Sequence, residues 1–389
     1  MKISFLINSA YGMGGTIRSV VTLANELSQR HDVELISVVR SREEPFFPLD
    51  SKVRVRFLHD AFELAQPNGH KRRLHRALSK YPSLLMHRRD KAYPRQSLWS
   101  DLQMLKAVRQ LDSDVLVATR PSLGLFTARW APKRVATVVQ SHTFLYLQHK
   151  QLRESMAQLY PRLDCVVSLT PAHEADMRKF LGDQVRHETI PNSVDSRGGP
   201  VSTQENKLVI AAGRLAPVKR HRQLIDAFAQ VVRKHPDWRL RIYGDGPRMK
   251  SLRKRILDLE LYNNVFLMGQ CQDMDRDFAK ASISALSSKS EGLPMTVIEA
   301  MACGVPVVSY DCDHGPREII SSGADGLLVE NGNPRALASG IMELIEDEPR
   351  RRSMAKAAID TAAEYDRRVV GQRWESLFEE LVAEKRALV

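Results

Sequence analysis

The chain has 389 residues, with 58 Lys or Arg against 46 Asp or Glu, a formal net charge of +12. At about 150 residues per domain this length predicts two domains, and 43% hydrophobic with 27% charged residues is globular composition that excludes a disordered, collagen-like or coiled-coil chain. No apolar run reaches the ~18–20 residues of a membrane span. The apolar start is too short for a signal peptide, so the expectation is a cytoplasmic protein.

In chain order, residues 2–8 read as a first strand. A glycine-rich turn follows at Gly12-Met13-Gly14-Gly15, and then Ile17, Val20, Val21, Leu23, Ala24 and Leu27 fall at helical spacing. Strand-like runs recur at 33–39, 53–58, 114–118, 135–139 and 164–169. They are short, β-branched and apolar at consecutive positions, which suits a parallel sheet covered on both faces. A second series begins with a strand at 208–212 and a helix over 221–234. The strand 240–243 follows, closed by Gly244-Asp245-Gly246-Pro247, and then strands at 265–268, 283–286, 305–309 and 326–329. The polar stretch 196–206 lacks periodicity and reads as a linker. The tail from about 346 to 387 reads as helix.

This alternation predicts an α/β chain of two doubly wound parallel-sheet, Rossmann-like domains facing a cleft. The expected division is 1–198 and 199–365, with a C-terminal helix of about 366–389 packing back on the first domain. Cys165, Cys271, Cys303 and Cys312 match no zinc or redox spacing and read as reduced, mostly buried thiols.

In such domains ligands sit beyond the carboxyl ends of the strands, so the loops there carry the chemistry. Arg214 and Lys219 follow the strand 208–212. A planar fork and a compact ammonium suit a diphosphate, although two solvated charges would read the same way. In Glu291-Gly292-Leu293-Pro294-Met295-Thr296-Val297-Ile298-Glu299 the proline suits a first helical turn. Glu291 then lies before the helix and Glu299 over one turn inside it. The amides of Gly292, Leu293, Met295 and Thr296 cluster at an anion-attracting N-terminus. The alternative is a capping carboxylate and an exposed helix charge. Gly14 and Gly15 either admit a ligand to the backbone or form a flexible turn. His142, after the strand 135–141, either bonds a sugar hydroxyl or is structural.

Taken in order, these segments resemble the GT-B glycosyltransferases of family 4. The resemblance extends to Ile190-Pro191-Asn192-Ser193-Val194-Asp195, with serine where the family has glycine. Ala302-Cys303-Gly304-Val305-Pro306-Val307-Val308 and Asp325-Gly326-Leu327-Leu328-Val329 are similar again. It covers nearly the whole chain and is most specific over 208–330. It implies that Arg214 and Lys219 hold the donor diphosphate, Glu299 the ribose hydroxyls and Glu291 the donor sugar. Gly14 and Gly15 would bring amides to the phosphate, and His142 would approach the transferred sugar as a catalytic group. It also implies retention of anomeric configuration and no metal or other cofactor, the nucleotide sugar being a substrate. The segment Cys312–Ile320 resembles the branch using UDP-linked glucose or N-acetylhexosamines. GDP-mannose-dependent transfer is the alternative; a UDP-sugar epimerase lacks this pattern.

Between His70 and Arg95 nine Lys or Arg stand against one acid, Asp90, with Leu74, Leu78, Tyr81, Leu84, Leu85 and Met86 interleaved. This tract reads as an amphipathic contact with an anionic membrane, a grip on a phosphate-rich acceptor, or a solvated helix face. Only Tyr81 and Tyr93 supply aromatic rings there, so no nucleic-acid partner is expected.

Overall fold

The computed structural model describes residues 1–64, 73–195 and 198–387. The chain divides into two compact units, Met1–Ser193 with Arg367–Val389, and Val194–Asp366.

The first unit holds β1 (Lys2–Ile7), β2 (Asp32–Arg40), β3 (Arg54–Asp60), β4 (Val115–Ala118), β5 (Ala136–Ser141), β6 (Cys165–Ser168) and β7 (Arg186–Thr189). They form one parallel sheet in the order β3-β2-β1-β4-β5-β6-β7. Alternate residues of one strand serve opposite cores. Ile3, Phe5 and Ile7 join the core beneath the helix Gly15–Leu27, while Leu6 joins the other. Val115 and Val117 against Leu116 and Ala118 repeat the pattern. Both faces are covered, which is why the strands are apolar at consecutive positions.

The helix Arg367–Ala387 belongs to this first core through Trp374 and Phe378, both fully buried. Gly371 meets the buried Glu26, where a Cβ would lie 2.8 Å from Glu26 Cγ.

The second unit holds β8 (Leu208–Ala212), β9 (Arg239–Tyr243), β10 (Val265–Gly269), β11 (Ile283–Leu286), β12 (Val307–Tyr310) and β13 (Gly326–Val329). Its parallel order is β10-β9-β8-β11-β12-β13.

The stretch 198–206 is not a free linker. Ser202 N donates to Cys303 O at 2.9 Å, and the buried Gln204 donates Nε2 to Gly304 O at 2.6 Å. Its polar residues bond the second unit instead of water, and the chain passes between units at Ser193/Val194 and Asp366/Arg367. The basic tract is also not one helical face. Only Arg73–Leu78 is α-helical there, and most of the rest is irregular; residues 70–72 lie outside those described.

Candidate functional site

Strand order reverses at β8, with β9 and β10 on one side and β11 to β13 on the other. Loops leaving β8 and β11 therefore diverge from neighbouring strands, the arrangement that admits a ligand in doubly wound sheets. These two loops carry Arg214, Lys219 and Glu291.

The loop after β8 is set by a close backbone approach. Gly244 has φ +131°, and a Cβ there would lie 2.0 Å from Gly213 O. Gly213 N donates to Tyr243 O at 3.0 Å and Leu215 N to Asp245 O at 2.9 Å. Arg214 is presented between these pinned neighbours. It is exposed, with no ion pair among the described residues, while Leu215 is fully buried.

Lys219 ends the 3₁₀ turn Pro217–Lys219, and Arg220, at φ 48°, turns the chain into the helix His221–Lys234. Lys219 Nζ pairs with Glu291 Oε1 at 2.5 Å. Ser288 Oγ donates to the same oxygen at 2.5 Å. The loops are stitched further by Ser287 Oγ to Lys219 O and by Lys289 N to Val218 O, both 2.8 Å. Glu291 Oε2 is left without a partner among the described residues and can accept from a hydroxyl.

The segment 311–315 presses on this loop from β12. Gly315 has φ 72°, and a Cβ there would lie 2.9 Å from both Glu291 Cβ and Gly292 O. Cys312 is fully buried, and burial, followed by the Glu291 charge, pushes its thiol up to about 11.

Pro294 caps the helix Met295–Ala302, which begins one residue later than the sequence implies. No side chain caps this terminus, and the first backbone bond is Val297 N to Pro294 O at 2.9 Å. The amides of Met295 and Thr296 precede that bond, and those of Gly292 and Leu293 lead into it. An unpaired helix N-terminus favours an anion. Glu299 is 4% exposed, which excludes the reading of an exposed helix charge.

In the first unit the reversal lies at β1, and the loop after it ends at Gly14, the cap of the helix Gly15–Leu27. Neither Gly14 nor Gly15 needs glycine for the fold: a Cβ at either would meet nothing within 4 Å, and φ at Gly14 is an extended −172°. They leave the helix N-terminus bare. His142 directly follows β5 and is half-buried, with Nε2 lacking a hydrogen-bond partner among the described residues. Burial, then the charges of His173 and Arg120, pushes the imidazole down to about 3, so it is neutral at ordinary pH.

The structure thus joins Lys219 to Glu291 directly and places Gly292, Leu293, Met295, Thr296 and Glu299 on the same loop and helix. Arg214 sits on the loop of Lys219 without touching Glu291 by any described bond. Gly14, Gly15 and His142 are in the other unit. Sequence reasoning passes over Ser287, Ser288 and Gly315. The two serines are 2% and 1% exposed. Buried hydroxyls directly after an apolar strand were the available signal, because buried polar groups need partners.

The Glycosyltransferase Family 4 profile matches residues 13–197, and the Glycosyl transferases group 1 profile matches residues 195–361. An exopolysaccharide phosphotransferase of Streptomyces coelicolor is 38% identical over 99% of this chain, which covers 41% of that protein. A poly(glycerol-phosphate) alpha-glucosyltransferase of Bacillus subtilis is 32% identical over 57% of this chain and 33% of its own length. The chain therefore spans only a third to two fifths of these relatives. Among solved structures, TarM of S. aureus with fondaparinux, alpha-GlcNAc-glycerol and UDP is similar at TM-score 0.77 and 18% identity, covering 97% of this chain and 99% of that one. HepE of Anabaena with UDP is similar at TM-score 0.75 and 21% identity, covering 98% and 100%. With both profiles matched in sequence order and this likeness across both units, the chain belongs to the GT-B glycosyltransferases of family 4.

Proposed function

We propose that the chain is a retaining, metal-independent glycosyltransferase that moves a hexosyl or N-acetylhexosaminyl group from a UDP-sugar to a cell-envelope polymer or glycolipid. The observation that carries this reading is the Lys219–Glu291 pair beside the uncapped helix N-terminus, with Glu291 Oε2 free.

Lys219 has further N–H groups to offer a diphosphate, and the exposed guanidinium of Arg214 adds a planar donor fork. With the amides before Val297 they meet charge as it develops on the leaving nucleotide, the role a metal ion would otherwise fill. Glu291 Oε2 accepts a hydroxyl of the transferred sugar, and Glu299 accepts the ribose hydroxyls. The first unit offers a neutral imidazole at His142 and a bare N-terminus at Gly14 and Gly15, suited respectively to a sugar hydroxyl and a phosphate oxygen.

The UDP in the TarM and HepE structures supports the uridine donor. The poly(glycerol-phosphate) alpha-glucosyltransferase supports both a polymeric phosphate acceptor and retention, since an α-linked product from an α-linked donor is retention. Calorimetric titration with UDP and GDP tests the donor, and NMR of the first product tests retention. UDP binding without added metal and an α-product support the reading. GDP binding in preference to UDP replaces it with mannosyl transfer, and binding of neither nucleotide removes it.

A further inference from the structure

A cavity of about 940 Å³ opens in the first unit between residues 84–89 and the helices Pro121–Trp130 and Lys150–Leu159. It follows the helix flanks: Gln151, Glu154, Ser155, Gln158 and Leu159 recur at helical spacing along the whole of the second helix. None of the residues assigned to the donor lines it.

One wall is residues 84–89 of the basic tract, and two buried aspartates bond the chain on either side of it. Asp101 accepts from Ser83 Oγ and Leu84 N at 2.6 Å and from Leu85 N at 3.1 Å. Asp90 accepts from Ala92 N at 2.8 Å, Arg120 Nη2 at 3.1 Å and Ser122 N at 3.2 Å. The only acid of the tract is therefore buried and bonded, so it subtracts nothing from the exposed positive face. Arg88, Arg89 and Arg129 stand exposed on the rim. The Arg89 side chain donates to the neutral Gln151 at 3.1 Å, and none of Arg88, Arg89 and Arg129 has an ion pair among the described residues. The rim carboxylate Glu154 lies 3.9 Å from Lys150.

The tract also holds apolar side chains in water, at this wall and just before it. Leu84 is 72% exposed and Tyr81 61%, although the backbone beside Leu84 is fixed by Asp101. A hydrophilic polyanion would satisfy the arginines and leave these side chains wet. The interface of a bilayer supplies phosphates and hydrocarbon together.

We propose that this groove docks the protein on a bilayer rich in anionic phospholipid. Leu84 enters the acyl boundary while Arg88, Arg89 and Arg129 meet headgroup phosphates. The assignment does not depend on the chemistry of the donor site.

The test is flotation of the full chain with vesicles of phosphatidylcholine alone or mixed with phosphatidylglycerol, at salt low enough for a Debye length of ~10 Å. The protein should float with the mixed vesicles and stay down with the neutral ones. Arg88→Ser with Arg129→Ser should lower partitioning about 25-fold, roughly fivefold per arginine. Leu84→Ser should lower it about tenfold, and this loss should persist at high salt because it is apolar. All three side chains are exposed, so the thermal midpoint should not move and misfolding is controlled. Failure of the parent to float, or variants that float as well as it does, overturns the proposal. Variants that keep vesicle binding but lose binding to soluble inorganic polyphosphate also overturn it and assign the groove to a polyanion.

Discussion

Lys219 Nζ stands 2.5 Å from Glu291 Oε1, across the point where the second sheet reverses its strand order. Their side chains are 19% and 12% exposed, and Ser288 secures the carboxylate from below. The pair holds a cation and a hydroxyl acceptor in fixed relation before any donor arrives, which is the preorganisation transition-state stabilisation needs.

The two partners should therefore fail differently. Lys219→Ala should cut kcat/KM at least 100-fold, roughly 3 kcal/mol, and weaken UDP binding as well. Glu291→Gln should lower kcat comparably yet leave UDP affinity near the parent value, because its free oxygen addresses the sugar. The double variant should lose less than the sum, since contacting residues are not independent. Additive losses in steady-state kinetics would separate the two roles.

Two glycines make opposite predictions. Gly15→Ala meets open space at the first helical position, so its unfolding midpoint should hold or rise. If its bare amide faces a phosphate, KM for the donor should nonetheless increase. Gly315→Ala combines φ 72° with a Cβ 2.9 Å from Glu291 Cβ and should cost about 1–2 kcal/mol in backbone strain. Its kcat should fall about 100-fold as the Glu291 loop shifts. Denaturant titration beside kinetics reads both.

Glu299→Gln should weaken UDP binding about tenfold while leaving turnover of bound donor nearly unchanged, because ribose contacts exist in ground and transition states alike. Calorimetry with UDP checks this; unchanged affinity would remove the ribose role.

Acid should destabilise the fold through buried histidines. Burial lowers His59 and His221 to about 4 from an ordinary 6.5. Above pH 6.5 these groups are neutral in both states and contribute nothing. Below it the unfolded chain takes protons the folded chain refuses, so stability falls until about pH 4. The slope is about 1.4 kcal/mol per pH unit for each. Thermal midpoints between pH 8 and 4.5 should drop below 6.5, and more shallowly in His221→Gln.

Much of this was legible from residues. Consecutive apolar runs predicted strands buried on both faces, and the helix at His221–Lys234 ends where its periodicity does. The edge strand β7 was not legible, because Arg186-His187-Glu188-Thr189 is polar where one edge is unpaired. The stretch 198–206 looked like linker because its polar residues bond backbone carbonyls that only folding brings near. At the site, the spacing of Glu291 and Glu299 was visible, but the pairing of Lys219 with Glu291 depends on β8 and β11 being neighbours. Such a relation is set by topology, not by sequence separation.

The most direct test is the release of nucleoside diphosphate, UDP or GDP, from a panel of UDP- and GDP-sugars without acceptor, by the parent and by Arg214→Ala and Lys219→Ala. The parent should slowly hydrolyse a UDP-linked glucose or N-acetylhexosamine. That rate should fall at least 100-fold in each variant, with the thermal midpoint of the exposed Arg214→Ala near the parent value. Near-parental rates in both variants, or no turnover of any nucleotide sugar by the parent, would contradict it.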